Sequence, residues 1–169
     1  MLARAIIAQQ ISVAAAKTIN ARVLELVAPQ PLSAEALLAV SPARLRSAGV
    51  SQQKATYLVD LAQRVAGDNV RLTRLERHDD ETIIADLTRI KGIGRWTAQM
   101  FLIFALGRPD VLAEDDLGLR AAVQRLHRLT ALPTKAEFRE LASPWRPYAT
   151  VASWYCWRSA DLKLIGKAQ

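Results

Sequence analysis

Hydrophobic residues recur every three to five positions along nearly the whole chain, and this spacing predicts α-helices throughout. The opening stretch has apolar residues at Ile7, Ile11, Ile19 and Val23, which predicts one long helix from Met1 that ends before Pro29. A strict alternation of apolar and polar residues, which is typical of half-buried strands, is not seen. The pattern therefore predicts an all-α protein.

Local capping signals divide the rest of the chain into shorter helices. Serine before an apolar run is typical of a helix N-cap, and glycine commonly follows a helix C-terminus. Helices are predicted after Ser33, from Ser41-Pro42 to Gly49, from Ser51 to Gly67-Asp68, over Thr82–Ile90, over Thr97–Leu106, and from Asp115 or Asp116, Thr134 and Pro147, the last running into Lys163–Gln169. A polar connection is predicted over Arg71–Asp80 and a loop over Gly107–Asp110, and Thr97–Leu106 is apolar enough to be buried on most sides.

The chain starts in full apolar register at Met1, with no capping residue before it. We therefore expect that either a few N-terminal residues or an entire N-terminal subdomain is missing before Met1. The 169 residues suffice for one domain or two small lobes with their own core.

Charge and cysteine content narrow the class of protein. The formal net charge is +7, with basic residues spread along the chain, which favours a folded basic surface and a polyanionic partner. The single cysteine, Cys156, excludes a disulfide framework and a four-cysteine iron–sulfur cluster, and we expect it to be a small buried hydrophobic residue. Neither a transmembrane run nor a signal peptide is evident, so the sequence indicates a cytoplasmic protein.

The segment Leu87–Ala98 predicts two helices joined by a tight hairpin containing Gly92 and Gly94. Glycine permits the positive φ that such a reversal requires. The second helix then begins with N–H groups that can bind a phosphate. The simpler interpretation is that the glycines only permit a tight turn.

An acidic pair, Asp115-Asp116, follows in this otherwise basic chain. A carboxylate before a helix is often only an N-cap, but two adjacent acids cannot both serve one cap with equal geometry. The other would then face a cleft, where it could stabilise positive charge or activate water, as glycosidic bond cleavage requires.

Two further features suit an enzyme that acts on a DNA base. Tryptophan and tyrosine are concentrated in the second half of the chain, where they form either part of the core or a pocket that stacks on a flipped base. The adjacent amides Gln9 and Gln10 lie in an apolar run. They are either solvated and capping residues, or a wedge that fills the gap left by a flipped nucleotide.

Together these segments resemble the helix–hairpin–helix DNA glycosylase superfamily, and most nearly its 3-methyladenine DNA glycosylase II group. The segments that carry the resemblance are Ala5–Ser12, Ile90–Ala98, Asp110–Asp116, Trp145–Tyr148 and Trp154-Tyr155. The resemblance implies a single domain over residues 1–169 with two helical lobes and a cleft between them. It also implies that Asp116 is catalytic and that Gln10 is the wedge.

The resemblance further implies a base pocket and a DNA-binding surface. The pocket would comprise Trp96, Met100, Gly118, Tyr148, Trp154 and Tyr155, and Met100 and Gly118 replace larger residues of the best-known bacterial member, so we expect a pocket of different shape. DNA contacts are expected from Gln9, Gln10, Ser12, Lys91, Gly92, Ile93, Gly94, Arg95 and Thr97. In this superfamily the hairpin carbonyls often hold a monovalent cation; no other metal site and no cofactor are expected.

Superfamily members that also cleave the DNA strand carry a lysine at the position of Trp96, so a Schiff base cannot form at that place here. The sequence therefore predicts a monomeric, monofunctional glycosylase that releases alkylated purines such as 3-methyladenine and 7-methylguanine from double-stranded DNA. Two alternatives remain open, namely a glycosylase for etheno or deaminated bases and a DNA-binding module without catalysis.

Overall fold

The computed structural model describes residues 1–67 and 72–161, and these residues form ten α-helices and two short 3₁₀ helices. The α-helices are α1 (Leu2–Ala8), α2 (Val13–Val27), α3 (Ala34–Leu38), α4 (Pro42–Ser47), α5 (Gln52–Ala66), α6 (Asp80–Thr88), α7 (Arg95–Phe104), α8 (Leu117–Leu126), α9 (Lys135–Leu141) and α10 (Ala149–Asp161). The 3₁₀ helices cover Leu72–Arg77 and Ser143–Trp145. The all-α prediction is confirmed, and within the described ranges no helix is long and apolar enough to cross a membrane.

The predicted N-caps determine where most of the helices begin. The side-chain oxygens of Ser33, Ser41 and Ser51 each accept a hydrogen bond from the backbone N–H three residues later. Thr134 forms a capping box with Glu137, and α5 ends at Gly67 as expected. Three parts of the sequence predictions lie outside the described residues. They are the helix end at Asp68, the start of the polar connection at Arg71 and the tail Lys163–Gln169.

The prediction of one long opening helix is wrong, because two helices separated by residues 9–12 take its place. Gln9 has an extended ψ of 132° and Gln10 a positive φ of 56°, and neither value continues a helix. Ser12 then starts α2 as its N-cap, with its side chain accepting a hydrogen bond from the Ala15 N–H. The apolar spacing continues across this break, so the periodicity does not reveal it.

The chain divides into two compact units, the first comprising residues 1–98 and the second beginning at Gln99. In the first unit α5 packs against α1, α3 and α4. Its core consists of fully buried aliphatic side chains, among them Ile6, Leu45, Leu58 and Leu87.

In the second unit α8 packs against α10 and α9. The core includes Leu119, Phe138 and Cys156, and the expected burial of the cysteine is confirmed. Burial raises the pKa of its thiol. Most of Thr97–Leu106 is buried as expected, whereas the Phe104 side chain is 58% exposed.

Candidate active site

Asp116 is the N-cap residue of α8, and its side chain is held in place by two hydrogen bonds. Its Oδ1 accepts one from the Leu119 backbone N–H at 2.8 Å and another from the Trp157 indole Nε1 at 3.3 Å. The residue is only 9% exposed. Asp116 is therefore a buried carboxylate of fixed orientation at a helix N-terminus, where the helix dipole favours negative charge.

Trp157 is a site residue that sequence reasoning missed. It lies on α10, its ring is 5.9 Å from that of Phe104, and its indole nitrogen reaches Asp116. Gly118 lies beside both groups, since a Cβ there would come within 3.1 Å of Asp116 Oδ1 and 3.9 Å of Trp157 Nε1. The sequence shows Trp157 only as one of the aromatic residues concentrated in the second half of the chain, and its contact with Asp116 joins residues 41 positions apart.

The neighbouring acids have structural partners on α9. Asp115 forms an ion pair with Lys135, and Glu114 pairs with Arg139 through two hydrogen bonds of 2.7 and 2.6 Å. The sequence argument assigned the cap to one acid and a cleft-facing role to the other, and this division is not observed, because Asp115 forms an ion pair with Lys135 instead of capping α8. Here the cap is Asp116 itself, so capping and the expected catalytic role fall on the same side chain.

The aromatic residues expected to form the base pocket lie on the surface of their units. On α10 and just before it, Tyr148, Trp154 and Tyr155 are each at least half exposed, and the rings of Trp154 and Tyr155 meet edge to face at 5.2 Å. Met100 is partly buried against the core of the second unit. Trp96 is 45% exposed in the first turn of α7 and belongs to the first unit. That these residues form one pocket stays a prediction.

The hairpin between α6 and α7 requires glycine at position 92. Gly92 has a φ of +81°, and a Cβ there would overlap the ring of Tyr57. The Lys91 N–H donates to Asp60 Oδ2 at 2.9 Å and the Ile93 N–H to the Ile90 carbonyl at 3.1 Å. These two N–H groups thus have partners within the protein.

The other expected hairpin residues differ in exposure. The Arg95 guanidinium pairs with Glu81, and this pairing lowers the pKa of the Glu81 carboxyl. Thr97 is buried, whereas Lys91 and Gly94 are exposed. The hairpin therefore presents Lys91 and Gly94 to solvent and directs Thr97 into the protein.

The break between α1 and α2 places its residues differently from a continuous helix. Gln10 is exposed, and Ser12 is exposed and occupied as the cap of α2. Gln9 is partly buried, and its Nε2 donates to the Gly92 carbonyl at 2.7 Å. The Gln9 side chain thus bonds to the hairpin, whereas the Gln10 residue is exposed to solvent.

No group of three or more His, Cys, Asp or Glu side chains within residues 1–67 and 72–161 could hold a metal ion. The hairpin carbonyls of Ile90 and Gly92 already accept hydrogen bonds from Ile93 and Gln9. The monovalent cation at the hairpin stays a prediction.

Comparison with known proteins bears on both units. The family model described as HhH-GPD superfamily base excision DNA repair protein matches residues 3–147. DNA-3-methyladenine glycosylase 1 of Schizosaccharomyces pombe is 40% identical over 119 residues, which are 70% of this chain and 52% of that protein. The chain spans about half the length of the curated relatives that it matches.

Two solved structures resemble the whole described fold. A DNA-3-methyladenine glycosidase from Bacillus halodurans has a TM-score of 0.89 at 39% identity, over 96% of this chain and 75% of that one. The Schizosaccharomyces pombe 3-methyladenine DNA glycosylase Mag1, in complex with abasic DNA, has a TM-score of 0.86 at 34% identity, over 98% and 82%.

Proposed function

Because the chain belongs to the HhH-GPD superfamily of base excision DNA repair proteins, we propose that it is a monofunctional DNA glycosylase. It hydrolyses the N-glycosidic bond of alkylated purines, 3-methyladenine and 7-methylguanine, in double-stranded DNA and leaves an abasic site. The observation that carries the proposal is the buried Asp116 carboxylate, fixed by Leu119 and Trp157. The names of the relatives support the substrate class, and Mag1 supports the product, since it is bound to abasic DNA.

The chemistry needs one carboxylate and one water molecule. The bond between C1′ and the purine nitrogen breaks, its electron pair goes to the cationic alkylated base, and the base leaves neutral. The sugar becomes oxocarbenium-like, and Asp116 stabilises this positive charge. Asp116 also orients a water molecule that attacks C1′ and releases one proton to the solvent, so the deoxyribose is left with a hydroxyl group.

The hairpin binds the DNA backbone in this proposal. The N–H groups of Gly92 and Gly94, in the hairpin just before α7, are the candidates for binding a phosphate, since those of Lys91 and Ile93 are bonded within the protein. The net charge of +7 strengthens the attraction to DNA and makes it dependent on salt. Gln10 fills the space of the flipped nucleotide, and Trp96, Trp154 and Tyr155 stack on the base.

Trp96 excludes one reaction at its position. An enzyme that cleaves the strand through a Schiff base needs an amine there, and an indole has none. The abasic site is therefore the final product. We further propose that the protein acts as a monomer in the cytoplasm, where it reaches chromosomal DNA.

The direct test is base release from methylated duplex DNA, with released 3-methyladenine and 7-methylguanine measured by chromatography. Asp116→Asn should lower the single-turnover rate at least about a hundredfold, because the charge that stabilises the transition state is lost. Asparagine caps helices as well as aspartate does, so the free energy of unfolding should stay within about 0.5 kcal/mol of wild type.

Asp115→Asn is the matched control, because it removes the adjacent acid and its ion pair with Lys135. We expect it to release bases at the wild-type rate. Equal rates for wild type and Asp116→Asn would show that Asp116 is not the catalytic carboxylate. A wild-type protein that binds duplex DNA but releases no base from a panel of alkylated, etheno and deaminated lesions would instead be a binding module.

A further inference from the structure

One face of α5 contacts both of the segments that the proposed function assigns to DNA. Lys54, Tyr57 and Asp60 are spaced three residues apart, so they lie along one side of the helix. We refer to these three residues as the α5 bracket. None of them was singled out from the sequence, because their partners are far away in the chain.

Lys54 holds the segment that contains Gln10. Its Nζ donates to the Ile7 carbonyl at 2.8 Å and to the Gln9 carbonyl at 2.5 Å. A lysine at this place satisfies carbonyl groups that the end of α1 leaves unpaired. Partial burial lowers the pKa of Lys54. The two hydrogen bonds fix the backbone immediately before Gln10, where the chain adopts its positive φ of 56°.

Asp60 and Tyr57 hold the hairpin. Asp60 Oδ2 accepts hydrogen bonds from the Lys91 backbone N–H and from the Arg64 side chain, both at 2.9 Å. The Tyr57 ring lies so close to Gly92 that no side chain fits between them, and its hydroxyl accepts a hydrogen bond from Gln53 at 2.7 Å. The hairpin therefore rests directly on α5.

Gln9 joins the two segments without α5. Its Nε2 donates to the Gly92 carbonyl at 2.7 Å, across 83 positions of sequence. The backbone carbonyl of the same residue accepts from Lys54. Gln9 thus contacts the bracket through its main chain and the hairpin through its side chain, and it closes a ring of contacts within the first unit.

We propose that Gln9 and the α5 bracket are positioning residues that hold Gln10 and the hairpin as one rigid DNA-binding surface. The proposal rests on the function proposed above. Flipping a base costs a few kcal/mol of unstacking free energy, and insertion of a wedge offsets part of this cost. Gln10 can act as the wedge only if it lies at a fixed distance from the phosphate that the hairpin binds. Because the bracket fixes this distance before DNA binds, no conformational entropy is lost there on binding.

The test compares two duplexes of the same sequence, one undamaged and one with a tetrahydrofuran abasic analogue. The ratio of their dissociation constants measures how well the wedge fills the gap. Gln9→Met keeps the size of the side chain but removes the bond to Gly92, and we expect the ratio to fall about tenfold. The affinity for undamaged DNA should fall by less than the affinity for the abasic duplex, because it depends mainly on phosphate contacts and not on filling a gap.

Gln63→Met is the matched control for Gln9→Met. Gln63 is exposed near the far end of α5, so this substitution should leave the ratio unchanged.

Lys54→Met should reproduce the effect of Gln9→Met, and Lys54→Arg should restore the ratio because the guanidinium can donate to the same carbonyls. Lys17 is an exposed residue of α2, and Lys17→Met controls for the loss of one positive charge. A wild-type ratio in Gln9→Met, or equal losses of affinity for both duplexes, would overturn the proposal.

Hydrogen exchange tests the ring of contacts even if the protein proves not to be a glycosylase. In Gln9→Met the amide of Lys91 should exchange about tenfold faster than in Gln63→Met, because the hairpin loses one of its supports. An unchanged exchange rate at Lys91 would show that the segments are not coupled. A wild-type protein that releases no base and does not distinguish the two duplexes would contradict the proposed function instead.

Discussion

In the proposed function, Asp116 combines a structural task, the capping of α8, with a chemical one in the same side chain. Its Oδ1 accepts from the Leu119 N–H, as any N-cap does, and from the Trp157 indole, which a cap does not need. Substitution by alanine would remove both tasks at once and destabilise α8 by about 1 kcal/mol. The asparagine variant separates them, which is why the test of catalysis is designed around Asp116→Asn.

Trp157→Phe should lower the single-turnover rate of base release about tenfold, with little change in DNA affinity. The phenyl ring keeps the packing against Phe104 but cannot donate to Asp116, so the carboxylate loses one of the contacts that fix its orientation. Rate and affinity are measured separately, by quenched single-turnover assays and by fluorescence anisotropy.

Trp145→Phe is the control for this substitution. Trp145 packs against the same core and meets Phe138 edge to face at 6.0 Å, but it is not bonded to Asp116. We expect the wild-type rate in this variant. If both variants lost activity to the same extent, the effect of Trp157 would be one of packing and not of positioning.

At the scale of elements, the N-cap of α2 ends the Gln9–Ser12 break between the first two helices. Ser12→Ala should reduce the free energy of unfolding by about 1 kcal/mol, since the Ala15 N–H loses its acceptor. Ser12→Asn keeps an acceptor and should recover most of that loss. Urea denaturation followed by circular dichroism measures both, and equal stabilities of all three proteins would mean that the cap contributes nothing.

Helix starts were predictable from the sequence because their causes are local. The oxygen of Ser33 or Thr134 bonds an N–H only three residues ahead, so the signal lies within one short window. The break at Gln9 was not predictable, because Lys54 and Gly92 stabilise it from 45 and 83 positions away. Apolar periodicity reports which face is buried and is silent about such distant polar contacts.

The candidate site was predictable to a similar degree. Asp116 and the hairpin glycines were found from short motifs whose chemistry is local. The partner of Asp116 was not found, because a tryptophan contributes apolar surface in every pattern and its single N–H donor is visible only in three dimensions. The α5 bracket was also missed, because the residues that Lys54, Tyr57 and Asp60 contact are distant in the sequence.

At the scale of the whole molecule, each unit has a partly buried aspartate that joins a loop to a helix. Asp60 accepts from Lys91 in the first unit, and Asp110 accepts from Arg146 and the Ala149 N–H in the second. Burial alone would raise the pKa of each carboxyl, but the hydrogen bonds and the nearby arginine outweigh burial and lower it. Both units therefore depend on ionised carboxylates.

This dependence predicts a loss of stability in acid, and Asp60→Asn tests it. A carboxyl whose pKa is lowered by folding stabilises the protein above its ordinary pKa of about 4, and the contribution disappears as the pH falls through the lower pKa of the folded state.

At about pH 7 we therefore expect Asp60→Asn to be about 1 kcal/mol less stable than wild type. At about pH 3, below the ordinary pKa of aspartate, the difference should shrink, because the unfolded wild-type chain then binds a proton at Asp60 that folding must release. Glu140→Gln, an exposed substitution on α9, should follow wild type at both values. Urea denaturation at the two pH values measures the difference, and a constant gap between Asp60→Asn and wild type would show that the charge of Asp60 does not hold the hairpin.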